Sequence, residues 1–181
     1  MPFSDKPLVN NHESLARHSE DITPPLEGIG GGFYHNYFIN QFNQLPMGYK
    51  IIDVEGIGEV YAAKLQEAGV KKTEDLLELC ATKKGRVAMA EKTGISEKLI
   101  LKWTNHADLF RIKGIAGQFA ELLEAAGVDT VKEFRHRVPA NLQPKLVEVN
   151  EAKNLCNRVP AVSELEKMIA QAKELEPIIT Y

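Results

Sequence analysis

One stretch of this chain is written twice, 58 residues apart. Val54-Glu55-Gly56-Ile57-Gly58, followed by Ala62, Leu65 and Ala68-Gly69-Val70, returns as Ile112-Lys113-Gly114-Ile115-Ala116, followed by Ala120, Leu123 and Ala126-Gly127-Val128. A repeat kept in register over so many positions marks two copies of one supersecondary unit. Each copy reads as a short helix, a tight glycine turn and a second helix. Such a unit shapes a surface and contains no catalytic group.

Helix punctuation extends the pattern from Tyr49 to the C-terminus. A short helix is expected over 49–54 and a second over Glu59–Ala68, with Gly69 in the left-handed position that closes a helix. Thr73–Cys80 follows, with Glu74 and Asp75 at its positive end. Thr82 is placed to cap Lys83–Lys92, Gly94 to end it, and Ser96 to cap Glu97–Ala107. The second copy continues with Gly117–Ala126, Gly127, and Thr130-Val131-Lys132-Glu133 as a capping box opening a helix to Arg137. Pro139 and Pro144 bracket a helix expected over Leu146–Asn157, and Ser163-Glu164-Leu165-Glu166 reads as a capping box for a helix ending at Leu175. No segment alternates with period two for long enough to be a strand. The fold class is all-α, with repeats over 49–108 and 109–181.

Residues 1–48 read as an N-terminal arm, because Pro2, Pro7, Pro24, Pro25 and a cluster of glycines from Gly28 to Gly32 break any period. Within it, an aromatic helix near 33–45 sets Phe33, Tyr34, Tyr37, Phe38 and Phe42 at helical spacing. Such a stripe either docks on its own core or anchors a partner, since exposed aromatics are common hot-spot residues.

Charge argues against a dedicated nucleic-acid domain. The 181-residue chain has a net charge of −3, and beyond residue 50 its 19 basic residues are met by 20 acidic ones. Strong DNA binders carry a basic excess, because neutralising phosphates supplies most of their affinity. No apolar run resembles a secretory signal or a membrane span, and Cys80 and Cys156 stand alone in helical patterns, so a reducing cytoplasmic setting is expected. No metal-spaced His/Cys set, phosphate loop, dinucleotide fingerprint or Ser-His-Asp order is present. The expectation is therefore no enzyme, no cofactor and no small-molecule substrate. Asp129 reads as a helix cap, His106 and His136 as surface or capping residues near helix ends, and Trp103 as core.

The two turns, Gly56-Ile57-Gly58 and Gly114-Ile115-Ala116-Gly117, match the helix-hairpin-helix motif. Glycine serves there because the turn takes backbone angles that a Cβ disfavours and because the helices approach closely. Ile57 and Ile115 are expected to point into the core. The turn aims free N–H groups outward at a helix start carrying about half a positive charge, so it can hold a phosphate without reading bases. In the first copy Glu55 and Glu59 flank the turn and would repel a phosphate. In the second, Lys113 and nearby Arg111 would attract one, with Arg135 and Arg137 extending the face; Lys83, Lys84, Arg86 and Lys145 are further basic residues. Ala116 stands where a second glycine is expected, with Gly117 one step on.

The whole pattern resembles a bacterial family of tandem helix-hairpin-helix proteins known as domain of unknown function 4332. The resemblance rests on Glu67-Ala-Gly-Val-Lys-Lys-Thr-Glu-Asp-Leu-Leu77, Lys92-Thr-Gly-Ile-Ser-Glu-Lys-Leu-Ile100 and Ala107-Asp-Leu-Phe-Arg-Ile-Lys-Gly114, and covers roughly Tyr49 to Leu175. It implies the fold and the repeat, with DNA binding only by analogy. Together these features lead to the expectation of a non-enzymatic scaffold or adaptor that binds a protein partner or its own copies through the arm and the repeats. The alternative is sequence-independent DNA binding through the second hairpin.

Overall fold

Glycine, threonine and serine set where the helices begin and end. The structure, a computed structural model, describes residues 48–181. A 3-10 turn at Ile51–Asp53 leads into eight α-helices: α1 Glu59–Glu67, α2 Thr73–Cys80, α3 Lys83–Thr93, α4 Glu97–Leu109, α5 Gly117–Ala125, α6 Val131–Phe134, α7 Pro139–Lys153 and α8 Val162–Glu174. Among the described residues there is no strand, only an isolated antiparallel bridge between Lys50 and Lys72. The all-α expectation holds. Phe33, Tyr34, Tyr37, Phe38 and Phe42, with the aromatic helix expected around them, lie outside the described residues.

The caps expected at Thr82, Ser96 and Thr130 are in place. Thr82 Oγ1 accepts the Gly85 N–H at 3.1 Å to open α3, and Ser96 Oγ accepts the Leu99 N–H at 3.4 Å to open α4. Thr130 Oγ1 accepts from Glu133 N–H at 3.4 Å, so Thr130 rather than Asp129 caps α6. Each helix then buries one stripe. Leu76, Leu77 and Cys80 of α2 meet Ile100, Trp103 and Ala107 of α4, and Phe134 of α6, Leu146 of α7 and Leu165 of α8 join the same core. A fully buried Leu, Ile or Phe contributes about 1.5–3 kcal/mol, which dwarfs the propensity of helices as short as α2 or α6.

Four boundaries differ from the sequence reading. The residues expected as a helix over 49–54 form only the 3-10 turn, because Tyr49 and Ile51 are held in an extended pairing: Thr73 N–H donates to Tyr49 O at 3.0 Å and Ile51 N–H to Lys71 O at 2.9 Å. Helix α6 stops at Phe134 instead of Arg137, and Val138 before Pro139 is extended (φ −92°, ψ 118°), as a pre-proline residue prefers. Helix α7 starts at Pro139 and runs through Pro144 to Lys153, where Asn154 (φ 52°) ends it. Proline at the first position costs nothing, since that N–H has no helical partner. Pro144 does forfeit a bond, and the core contacts of Leu142, Leu146 and Val149 offset it. Helix α8 starts at Val162, ahead of the Ser163 expected to cap it. Glu164 reaches back to accept the Ala161 N–H at 2.8 Å, and Arg158 grips the same carboxylate at 2.6 and 2.9 Å. The acid that matters is thus Glu164, held well below the ordinary carboxylate range, at about 2, by hydrogen bonds from Arg158 first and Ala161 second.

Candidate interaction site at the two glycine corners

Gly56 and Gly114 each occupy the left-handed region, with φ of 83° and 97°. The hydrogen bonds around them recur 58 residues apart. Ile57 N–H donates to Val54 O at 3.0 Å, and Ile115 N–H to Ile112 O at 3.1 Å. Downstream, Val70 N–H donates to Leu65 O at 2.8 Å, and Val128 N–H to Leu123 O at 2.9 Å. Asp75 Oδ2 accepts the Lys71 N–H, and Glu133 Oε2 accepts the corresponding Asp129 N–H, both at 2.8 Å. Even the neighbours match. A Cβ on Gly56 would lie 3.4 Å from Trp103 Nε1, and one on Gly114 would lie 2.9 Å from Met168 Cε. Trp103 is the seventh residue of α4 and Met168 the seventh of α8. Ile57 and Ile115 point inward, 4% and 0% exposed.

Ala116 replaces Gly58 without displacing the turn. Both residues precede their helix with extended backbone, Gly58 at φ −79° and ψ 173°, Ala116 at φ −134° and ψ 178°, which any residue adopts. The shift of one step that Gly117 implied does not occur, since Gly117 is simply the first residue of α5.

The cations expected at the second corner are not brought together. Arg111 is buried, its Nη1 2.6 Å from Asp108 Oδ1 and its Nη2 donating to Glu176 O at 3.0 Å. Arg135 donates to Lys173 O and Leu175 O at the end of α8, and Arg137 to Gly127 O. Arg86, expected on a basic face, is also buried and faces the carbonyls of Cys80 and Ala81. Lys145 pairs with Glu148 at 3.0 Å. Lys113 alone of the four expected phosphate contacts keeps an exposed side chain with no inward bond, while its own N–H donates to Gln171 Oε1 at 2.8 Å. Between the two corners, a Cβ on Gly117 would lie 3.6 Å from Glu55 Oε2 and 3.8 Å from Asp53 O. The acid of the first corner therefore stands beside the start of α5, where an incoming phosphate would have to approach.

Three buried polar side chains escaped the sequence reading. Asp108 is 1% exposed, accepts the Val131 N–H at 2.8 Å through Oδ2, and has its carboxyl pushed up by burial against the pull of Arg111 and that N–H. A signal was present: the repeat pairs Asp108 with Lys50, a change of sign at an otherwise matched position. His106, expected at the surface, is fully buried, with Nε2 2.9 Å from Glu124 Oε2 and Nδ1 without a partner among the described residues. Burial lowers its pKa below the ordinary 6.5, against the opposing pull of Glu124. Burial would raise Glu124, but hydrogen bonds from Lys102 and His106 outweigh it and leave that carboxyl lowered. The third is Arg86. Cys80 beside it is buried and free, its thiol pushed up to about 12 by burial against the pull of Arg86, and Cys156 is free and half-exposed.

No cluster of His, Cys, Asp and Glu among the described residues suits a metal ion, and no described helix is long and apolar enough to cross a membrane. A depression lined by Tyr49, Glu74, Leu77 and Phe110 holds about 10 Å³, room for about one water molecule. Comparison with protein families gives a match to the model described as Domain of unknown function (DUF4332), over residues 55–175. The chain belongs to this family. The DUF4332 region takes in both glycine corners and all of α1 to α8. No curated protein and no solved structure matches the chain.

Proposed function

We propose that this DUF4332 protein is a non-enzymatic scaffold or adaptor, a cytoplasmic protein built from tandem helix-hairpin-helix repeats over 49–108 and 109–181, which holds a protein partner or a second copy. One observation carries the reading: three of the four cations suited to a phosphate are already hydrogen-bonded to carbonyls or a carboxylate of this chain, while Glu55 stands beside the helix start that a phosphate would need. Unit charges about 4 Å apart repel by about 1 kcal/mol even at the dielectric of water, and by more near a protein surface. The recurrence of hydrogen bonds at 58 residues, with the seventh residue of α4 and of α8 against the two glycines, supports the repeat. Two free cysteines fit a reducing compartment. Light scattering across a concentration series tests the self-associating form and should return a mass that rises above the monomer. A monomer at every concentration, joined by a pull-down with no protein partner, removes the proposal.

Sequence-independent DNA binding through the second hairpin is the second reading, favoured by the exposed Lys113 directly before Gly114. It expects Lys113→Glu to weaken binding to any duplex and Glu55→Lys to strengthen it. Each phosphate contacted contributes about −0.9 to the logarithmic salt slope, so the slope should be shallow. An unchanged fluorescence anisotropy of labelled duplex at low salt eliminates this reading.

A further inference from the structure

Residues 176–180 are held by groups far away in sequence. Beyond α8, Thr180 N–H donates to Ala81 O at 2.9 Å and Thr180 O accepts from Arg86 Nη2 at 2.9 Å. Arg86 Nη1 donates at the same time to Cys80 O and Ala81 O, so one guanidinium staples the tail to the end of α2. Arg111 holds Glu176 O and Arg135 holds Leu175 O. Ile179 is 9% exposed and Ile178 packs on the core, while Glu176 and Pro177 are exposed.

These contacts have the chemistry of a peptide seat. Main-chain groups supply the hydrogen bonds and two aliphatic side chains supply the fit, as when an extended peptide is added to a prepared edge. The arginines touch carbonyl oxygens only, so they demand an extended backbone and no particular side chain. Between the seat and α8 lies Glu176-Pro177, exposed, with no N–H on Pro177 to hold it. For residues 178–180 to leave, the hydrogen bonds that break are those of Thr180 to Ala81 and Arg86, the latter 94 residues back along the chain, while Arg111 and Arg135 can keep Glu176 O and Leu175 O.

We propose that the seat for Ile178-Ile179-Thr180 is a docking site for an extended aliphatic strand, and that its partner between molecules is the same C-terminal segment of a second copy. The inference rests on the self-associating form of the function proposed above. An exchanged tail makes the same contacts that it makes within one chain, so the balance between closed monomer and tail-exchanged dimer is set by concentration and by the Glu176-Pro177 hinge. A different partner would need the same pattern: an extended segment with two adjacent aliphatic residues.

The Ile179→Asp chain tests this, because a carboxylate at a buried aliphatic position drives the tail from its seat while leaving α1 to α8 intact in sequence. A fluorescent peptide spanning residues 174–181 should bind that chain saturably. It should bind the unaltered chain at least about tenfold more weakly, since the resident tail leaves the seat free only a fraction of the time. The peptide carrying the same Ile179→Asp change should not bind. If Ile179→Asp lacks helical circular dichroism, Thr180→Pro serves instead, removing only the N–H that meets Ala81. A folded variant that leaves the peptide unbound overturns the docking site. The partner is tested separately by light scattering on concentrated unaltered chain, where excess peptide and Ile179→Asp should each return the dimer to monomer. A chain that stays monomeric, or an oligomer that neither treatment changes, overturns the exchange, and the second outcome leaves self-association through another surface standing.

Discussion

The two glycine corners turn the backbone alike but are preceded by different structures. Before the first corner the chain arrives extended, and the main-chain oxygen of Tyr49 accepts the Thr73 N–H at the start of α2. Before the second corner the chain arrives as the end of α4, where the His106, Asp108 and Leu109 carbonyls accept from Phe110, Arg111 and Ile112, and the Asp108 carboxylate accepts the Val131 N–H at the start of α6. A side chain has replaced a backbone group. That replacement places a charge in the core, and Arg111 follows to neutralise it. The first corner can therefore tolerate change at Lys50 while the second cannot at Asp108. One turn geometry thus coexists with two levels of tolerance, and the level is decided outside the turn.

The largest effect should come from breaking that difference. Asp108→Ala leaves Arg111 buried without its carboxylate and should cost about 3–5 kcal/mol, whereas Lys50→Ala should stay within about 0.5 kcal/mol; urea titration followed by circular dichroism reads both. Equal losses at the two positions would show that the corners do not differ in this way. Next come the glycines. Gly114→Ala combines a left-handed backbone with a methyl 2.9 Å from Met168 Cε and should cost about 2 kcal/mol, whereas Gly56→Ala, with Trp103 at 3.4 Å, should cost about 1 kcal/mol. Met168→Ala in the Gly114→Ala background should recover part of the loss, and its failure to do so would assign the whole cost to the backbone.

A pH titration sharpens the comparison further, because the His106–Glu124 contact joins α4 to α5, the helices on either side of the second corner. His106 has a folded pKa below 6.5, so the unfolded chain takes up the proton first. Its contribution is complete above about pH 6.5 and is lost as pH falls from there toward the lowered value. Glu124, lowered from 4.5, adds a second loss at more acid pH. His106→Gln should abolish the first step and keep the second; a first step of unchanged size in that variant would exclude His106 as its source. The smallest effects lie at the caps. Ser96→Ala at α4 should cost about 1 kcal/mol. Ala161→Ser at the corresponding end of α8 should add stability of up to about that size, and Ser163→Ala should be silent in thermal melting, since Ser163 is the second residue of its helix.

What could be read in the sequence was what acts locally. The corners at Gly56 and Gly114, the caps Thr82 and Ser96 and the all-α class follow from backbone rules that span three or four residues. Boundaries were misplaced where two such rules competed, as at Pro144, where a residue that usually starts a helix lies inside one, and at Ser163, where Glu164 closes the ladder two residues upstream. The burial of Arg86 and Arg111 was beyond reach, because the carbonyls of Thr180 and Glu176 that complete their hydrogen bonds are tens of residues away, although Cys80, Ala81 and Asp108 lie close in sequence. A cation on a helical pattern looks the same whether it faces water or a distant carbonyl. The burial of His106 was hidden for a related reason: it follows Trp103 by three residues on the stripe that α4 buries, but nothing local marks the place of Glu124.

The buried Cys80 gives this molecule an internal clock. A thiol reacts as thiolate, and with its proton held to about pH 12 and no path to solvent, Cys80 stays silent toward alkylating agents while Cys156 is consumed. Its carbonyl is part of the staple made by Arg86, so slow labelling at this one sulfur times the opening of the end of α2, and with it the release of the tail.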